Sequence, residues 1–253
     1  MIYVNGDSWS QRSAIDYDYS WSAQLQKLIT VPIVNESAGC GSNSRVLSNL
    51  QKIYFSGMKP KLVIIGLTSY SRWHLPSNTC SSWNIGPTII NDRTGAKEEY
   101  ALKWFHTSVF DQVEYVFQYY NIIWQINELC QKYLNCPVIF FNAFDYEIVD
   151  IETELFYTRN GINNWVVRHT KNEKCMYTQR YIDCFNYFKN NLSHCVRITT
   201  PWSSLLKSEH IDGPNGKHPL HPSEQGHQII CDFVLKTIEE KFPTVLEKTY
   251  NHG

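Results

Sequence analysis

Two short stretches, far apart in the chain, hold the residue types that nucleophilic chemistry needs. Gly6-Asp7-Ser8 directly follows Met1–Asn5, a short apolar, β-rich run that breaks at Gly6 and reads as a buried first strand. A serine on a tight turn leaving a strand carries its hydroxyl at the carboxyl edge of the sheet. Backbone N–H groups there can stabilise negative charge developing on a substrate. The second stretch is His218-Pro219-Leu220-His221-Pro222-Ser223-Glu224-Gln225-Gly226-His227, where prolines restrict a loop just before the last helix. Serine is a poor nucleophile until a base removes its proton, and histidine titrates in the range that suits this task. Each stretch alone has a bland reading, as an ordinary turn or as a histidine bonded near a helix start.

The elements between them must bring both to one edge. Ser20–Ile29 has apolar residues at Trp21, Leu25 and Leu28, the spacing of an amphipathic helix. Pro32–Asn35 reads as a second strand. Asn43 or Ser44 can cap a helix running to about Phe55, with a stripe of Val46, Leu47, Leu50, Ile53 and Tyr54. Leu62–Gly66 is a third strand, apolar throughout, as a strand covered on both faces should be. Tyr70–His106 reads as an irregular excursion, Phe110–Tyr133 as a long helix and Pro137–Phe141 as a fourth strand. A second irregular stretch, Asn142–Lys174, precedes a helix over Thr178–Asn190 and a fifth strand, Cys195–Ile198. A loop then covers Thr199–Pro219, and Pro222–Phe242 is the closing helix with Pro222 in its first turn. Alternating strands and helices imply a mainly parallel sheet with right-handed crossovers and helices on both faces. Ligands of such sheets bind outside the carboxyl ends of the strands, where both excursions begin.

Gly-Asp-Ser after the first strand and His-Pro-Ser-x-x-Gly-His before the last helix, separated by a parallel α/β core, resemble the SGNH (GDSL-type) hydrolase family. The resemblance runs from Ile2 to about Lys241, with the irregular stretches outside it. It implies an α/β, flavodoxin-like three-layer α/β/α sandwich with a mainly parallel five-stranded sheet. It also implies esterase, lipase, thioesterase or carbohydrate-deacetylase chemistry, with Ser8 as nucleophile and His221 as base and no cofactor. The chain is then one hydrolase domain over 1–253, with insertions at about 70–106 and 142–175.

Other blocks of the family fit with departures. Its second block supplies a glycine whose N–H helps hold the oxyanion. Here the stretch is Asn35-Glu36-Ser37-Ala38-Gly39-Cys40-Gly41-Ser42-Asn43, and the donor is the N–H of Gly39, Cys40 or Gly41. The third block usually reads Gly-x-Asn-Asp, whereas this chain has Gly66-Leu67-Thr68-Ser69, so Thr68 stands where the amide is expected. A threonine hydroxyl donates one hydrogen bond with shorter reach, and Arg72 could add positive charge nearby. The family carries Asp three residues before its histidine, but position 218 is His. Either Ser8 and His221 work as a dyad, with a carbonyl or His218 orienting the ring, or another carboxylate enters. Asp212 in the same loop is favoured over Asp145.

Composition narrows the rest. The chain has 253 residues, 43% of them hydrophobic, enough for one large α/β core. Lys and Arg number 23 against 24 Asp and Glu, and the basic residues are scattered, which argues against a nucleic-acid groove. Apolar runs such as Leu62–Leu67 are too short to insert across a bilayer, and no signal peptide opens the chain. Synthesis in the cytoplasm is expected, with the final setting (a phage-encoded protein included) and the oligomeric state left open. Eight cysteines show no C-x-x-C and no paired zinc spacing, so free thiols are expected. His210, His218, His221 and His227 crowd one segment, but no recognised ligand set is completed, and no metal is expected.

The reading is a serine esterase acting on a small-molecule or glycan ester. Trp73, Trp83, Trp104 and Trp165 in the excursions favour a carbohydrate O-acyl ester, because aromatic faces stack on sugar rings. The rival is an SGNH scaffold without hydrolysis that binds a glycan or a protein, supported by the missing Asn and Asp at positions 68 and 218.

Overall fold

The structure is a computed structural model. It describes residues 1–11, 19–39, 41–68, 73–75, 83–85, 112–143, 187, 190, 195–198, 200–212 and 221–246. Five strands form one sheet: β1 (Ile2–Asn5), β2 (Ile33–Asn35), β3 (Leu62–Leu67), β6 (Val138–Asn142) and β7 (Val196–Ile198). Their order is β2-β1-β3-β6-β7, and every pairing is parallel. A separate antiparallel ribbon pairs β4 (Trp73–Leu75) with β5 (Trp83–Ile85). The first excursion was expected to be irregular, so this ribbon is a correction; its runs of three residues are too short to show a periodic pattern.

Alternation along the central strands explains the layering. Ile2, Val4, Leu62, Ile64, Ile139 and Phe141 point to one face, where they pack with Trp21 and Leu25 of α1 (Trp21–Leu28) and Ile230, Val234 and Ile238 of the closing helix. Tyr3, Val63, Ile65, Val138 and Phe140 point to the other. There Val46, Leu50 and Ile53 of α2 (Asn43–Phe55) and Ile123 and Ile126 of α3 (Gln112–Glu128) cover them. Each such buried side chain contributes about 1.5–3 kcal/mol. The result is a three-layer α/β/α sandwich, and its strand order is the flavodoxin-like one.

Several boundaries differ from the sequence pattern for local reasons. Ser42, not Asn43 or Ser44, caps α2 by accepting from the Arg45 N–H. The long helix passes from α3 into a π-helical turn, Leu129–Leu134, that ends at left-handed Asn135. The loop after β7 contains a short helix, α4 (Trp202–Leu205), and a 3₁₀ turn, Ser208–His210. The closing helix, α5, spans Glu224–Lys241 and is capped by Ser223, which accepts from the Gly226 N–H. Pro222 therefore lies before the helix rather than inside its first turn. The helix expected over Thr178–Asn190 lies outside the described residues except for 187 and 190. Cys130, Cys136, Cys195 and Cys231 are free thiols. Burial pushes the Cys195 thiol up to about 11 and the Cys231 thiol up to about 12.

Two glycines let β1 and β3 close up beneath the turn that follows β1. A Cβ on Gly6 would lie 2.6 Å from Ser10 Oγ and 2.8 Å from the Gly66 carbonyl oxygen. A Cβ on Gly66 would collide with Ser10 Oγ and stand 3.0 Å from two ring carbons of Trp202. Trp202 is fully buried and packs on Trp21 and Phe141, so it has little room to yield. Gly66→Ala is therefore expected to destabilise the fold by about 1–3 kcal/mol, the usual size of overpacking. An unchanged urea midpoint would refute this account of the packing.

Candidate active site

Asp7 builds the turn that presents Ser8. Its side-chain Oδ1 accepts from the Trp9 N–H at 3.0 Å, and its carbonyl accepts from the Ser10 N–H at 3.0 Å. This combination of Asx-turn and β-turn puts Ser8 and Trp9 at the two central positions. Trp9 buries its ring in the core beside Trp21, which leaves Ser8 half-exposed at the tip. One residue earlier, Asn5 locks the strand end: its Oδ1 accepts from the Gly6 N–H and its amide donates to Tyr3 Oη. Tyr3 Oη in turn donates to Glu36 at 2.8 Å. Burial, with the Glu36 carboxylate beside it, holds the Tyr3 phenol far above its ordinary range, so it stays a donor.

His221 reaches the same place from the other end of the chain. Residues 210–212 and 221–223 pair like short antiparallel strands. The Asp212 N–H donates to the His221 carbonyl at 2.8 Å, the Ser223 N–H donates to the His210 carbonyl at 2.9 Å, and Ile211 bridges Pro222. Ser223 Oγ also donates to the His210 carbonyl at 3.1 Å while capping α5. So held, His221 Nε2 lies 2.9 Å from Ser8 Oγ, across 213 residues of sequence. An imidazole nitrogen at that distance can take the serine proton, provided it is the unprotonated one of the two.

The site lies at the carboxyl ends of β1 and β3, where the strand order reverses, the position at which parallel α/β sheets bind ligands. Thr68, just past β3, is fully buried, and its hydroxyl donates to Asp7 Oδ2 at 3.3 Å. Asn43, the first residue of α2, grips the Thr68 backbone: its amide donates to the carbonyl at 2.9 Å and its Oδ1 accepts from the N–H at 3.0 Å. The polar atoms of Thr68 thus face Asp7 and Asn43 from a buried position. Asn43 is a positioning residue that the sequence pattern hid. The signal was Ser42 beside it, since a helix needs one cap and the second polar residue was left for other work.

The remaining candidates separate. Of the three residues proposed to supply a main-chain donor, Gly41 has its N–H bonded to the Ala38 carbonyl at 2.9 Å. Its missing Cβ lets the Gly6 carbonyl oxygen approach within 2.6 Å of where that carbon would be. Gly39 lies in the same turn, and Cys40 lies outside the described residues. Asp212 is half-buried and joined to His221 through the main chain. Arg72, Asp145 and His218 lie outside the described residues. Two other histidines of the crowded segment have structural partners. His210 Nδ1 accepts from the Lys207 N–H at 3.1 Å, and buried His227 Nδ1 accepts from the Trp21 N–H at 3.3 Å, tying α5 to α1. Among the described residues, no group of three or more His, Cys, Asp or Glu side chains is arranged to hold a metal ion.

No family model matches the sequence, and no curated protein matches it. Solved structures do match along most of the chain. "TesA" shares 14% identity at a TM-score of 0.49, over 94% of this chain and 98% of its own. The psychrotrophic esterase EstA from Pseudoalteromonas sp., in a structure inhibited by monoethylphosphonate, shares 13% identity at 0.46, over 94% and 96%. A member of the lipolytic G-D-S-L protein family from Veillonella parvula DSM 2008 shares 12% identity at 0.46, over 96% and 97%.

The contact between Thr68 and Asp7 generates a prediction. Thr68→Val keeps the shape and removes the donor, leaving a buried carboxylate with one partner fewer. Labelling of Ser8 by a serine-reactive phosphonate should slow by about ten- to a hundredfold, the size of a hydrogen bond to a charged group. Thr68→Ser should restore most of the rate. A Val variant that labels at the wild-type rate would show that the hydroxyl does not position the turn.

Proposed function

We propose that this chain is a serine esterase of the SGNH kind, one hydrolase domain with insertions at about 70–106 and 142–175. The observation that carries the reading is the 2.9 Å contact between Ser8 Oγ and His221 Nε2 at the strand-order reversal. In the proposed reaction, His221 accepts the Ser8 proton as Oγ bonds to the acyl carbon. The oxyanion is received by main-chain N–H groups of Ser8 and of residues 39 and 40. His221 then protonates the leaving alcohol, and the acyl-enzyme forms as the ester C–O bond breaks. A water molecule gives His221 a proton as its oxygen attacks, and the proton returns to Ser8 as the acid leaves. Asp212 is the favoured group for orienting the imidazole, because the same strand-like pairing holds it next to His221. The reading assigns no cofactor or metal.

The substrate we infer is a carbohydrate O-acyl ester. Its support is that the ribbon following β3 carries Trp73 and Trp83, with Trp73 opposite Ile85 and Trp83 opposite Leu75. A panel of acetylated sugars, short p-nitrophenyl esters and thioesters tests this directly, and preference for a thioester would overturn the sugar assignment.

Intact mass after incubation with a serine-reactive phosphonate tests the enzyme itself. One adduct is expected in the wild type and none in Ser8→Ala; no adduct on folded wild-type protein would favour the binding-module alternative. His221→Ala should lower ester turnover by roughly a hundred- to ten-thousandfold without unfolding the chain. Asp212→Asn should lower turnover much more than Asp145→Asn, while equal and negligible effects would leave Ser8 and His221 as a dyad.

A further inference from the structure

The opposite rim of the sheet carries a surface that the proposed chemistry does not use. Strands β3 and β6 run parallel in register from Val63 opposite Val138, and the Val63 N–H donates to the Pro137 carbonyl at 3.0 Å. The segments entering them, 56–61 after α2 and 135–137 after the π-helical turn, therefore lie side by side. The Lys61 N–H donates to the Met1 carbonyl at 2.8 Å, which brings the first residue to the same rim. Apolar side chains stand out here: Phe55 is 81% exposed, Tyr133 56% and Met58 39%. They form one patch, because Tyr54 lies between the two rings, with centroids 5.3 Å from Phe55 and 5.7 Å from Tyr133.

The two segments that carry this patch are basic. Residues 43–61 contain Arg45, Lys52, Lys59 and Lys61 and no acidic residue, and residues 129–137 contain Lys132 and none. All four lysines are exposed. Lys132 pairs with Glu128 one helical turn away. The whole chain has a net charge of -1, so this excess is local. Phe55 ends a helix, Met58 follows the left-handed turn at Gly57, and Tyr133 precedes the left-handed Asn135.

From this we propose that the amino-terminal rim docks on an anionic lipid surface, with Phe55, Met58 and Tyr133 entering the headgroup region and Lys52 and Lys59 facing acidic headgroups. Protruding apolar tips need a yielding partner, and a fluid interface accepts them without a matching groove. Aromatic rings sit well at that level, and lysines snorkel beside them. Such docking is peripheral: among the described residues no helix is long and apolar enough to cross a membrane. It leaves the Ser8 rim turned away from the lipid and does not depend on the esterase reading.

Co-sedimentation of the full chain with vesicles tests the proposal. Binding is expected to phosphatidylglycerol–phosphatidylcholine vesicles and not to phosphatidylcholine alone, and it should weaken as salt rises. Lys52→Glu with Lys59→Glu should reduce the partition coefficient at least about tenfold, given the attraction each lysine contributes near an anionic surface. Phe55→Ser with Tyr133→Ser should reduce it similarly, with unchanged circular dichroism and unchanged phosphonate labelling of Ser8. Absence of binding to the anionic vesicles at low salt would overturn the proposal, as would binding that neither double variant alters. Phe55-dependent self-association in sedimentation velocity, without vesicle binding, would overturn it in favour of a second copy of the chain.

Discussion

The buried carboxylate of Asp7 is the constraint around which the carboxyl rim is organised. A carboxylate out of contact with water must be met by donors or it will not remain charged. The Trp9 N–H of its own turn and the Thr68 hydroxyl at the end of β3 both donate to it. Thr68 is in turn held by Asn43 at the start of α2. Asp7 thereby fastens the two strands that flank the strand-order reversal and, through Thr68, the helix that leads from β2 into β3. The fastening needs close approach, which Gly6, Gly41 and Gly66 permit by having no Cβ. Satisfying Asp7 leaves Ser8 at the tip of a turn whose base is rigid.

The partner histidine is held by a different device, and the difference is topological. Ser8 follows a central strand, so the sheet itself fixes it. His221 is held by the short pairing of 210–212 with 221–223. Ser223 joins that pairing to the helix, because its hydroxyl bonds the His210 carbonyl and caps α5. Close packing adds a second restraint, since any Cβ on Gly226 would collide with the His210 carbonyl oxygen. Farther along, His227 ties α5 to the first turn of α1. The Pro-Ser-x-x-Gly-His part of the motif is thus largely a device for placing the histidine that precedes it.

This distinction also explains what could be read in the chain before its structure. The five parallel strands and the helices α1, α2, α3 and α5 were legible because each central strand is an apolar run and each helix has a stripe. Ser8 and His221 were legible as a pair because their flanking residues are unusual together. The roles of Thr68 and Asn43 were not, since both depend on contacts 25 residues away in sequence that no local pattern encodes. Asn43 resembled a cap, and only the fold shows that Ser42 already performs that task. The ribbon at Trp73–Leu75 and Trp83–Ile85 escaped because three residues cannot display a period.

The two rims of the sheet use their residues in opposite ways. At the carboxyl rim Asp7, Thr68 and Asn43 are turned inward and bonded to one another, which fixes a geometry. At the amino rim apolar rings are turned outward beside exposed lysines, which suits association more than precision. The strands separating the rims are four to six residues long in β1 and β3, or roughly 13–20 Å at the usual rise. Substitutions that far apart, with no shared partner, generally act additively. The middle layer supplies the burial on which both rims stand. The proposed chemistry at one rim and the proposed docking at the other are therefore expected to respond to substitution separately.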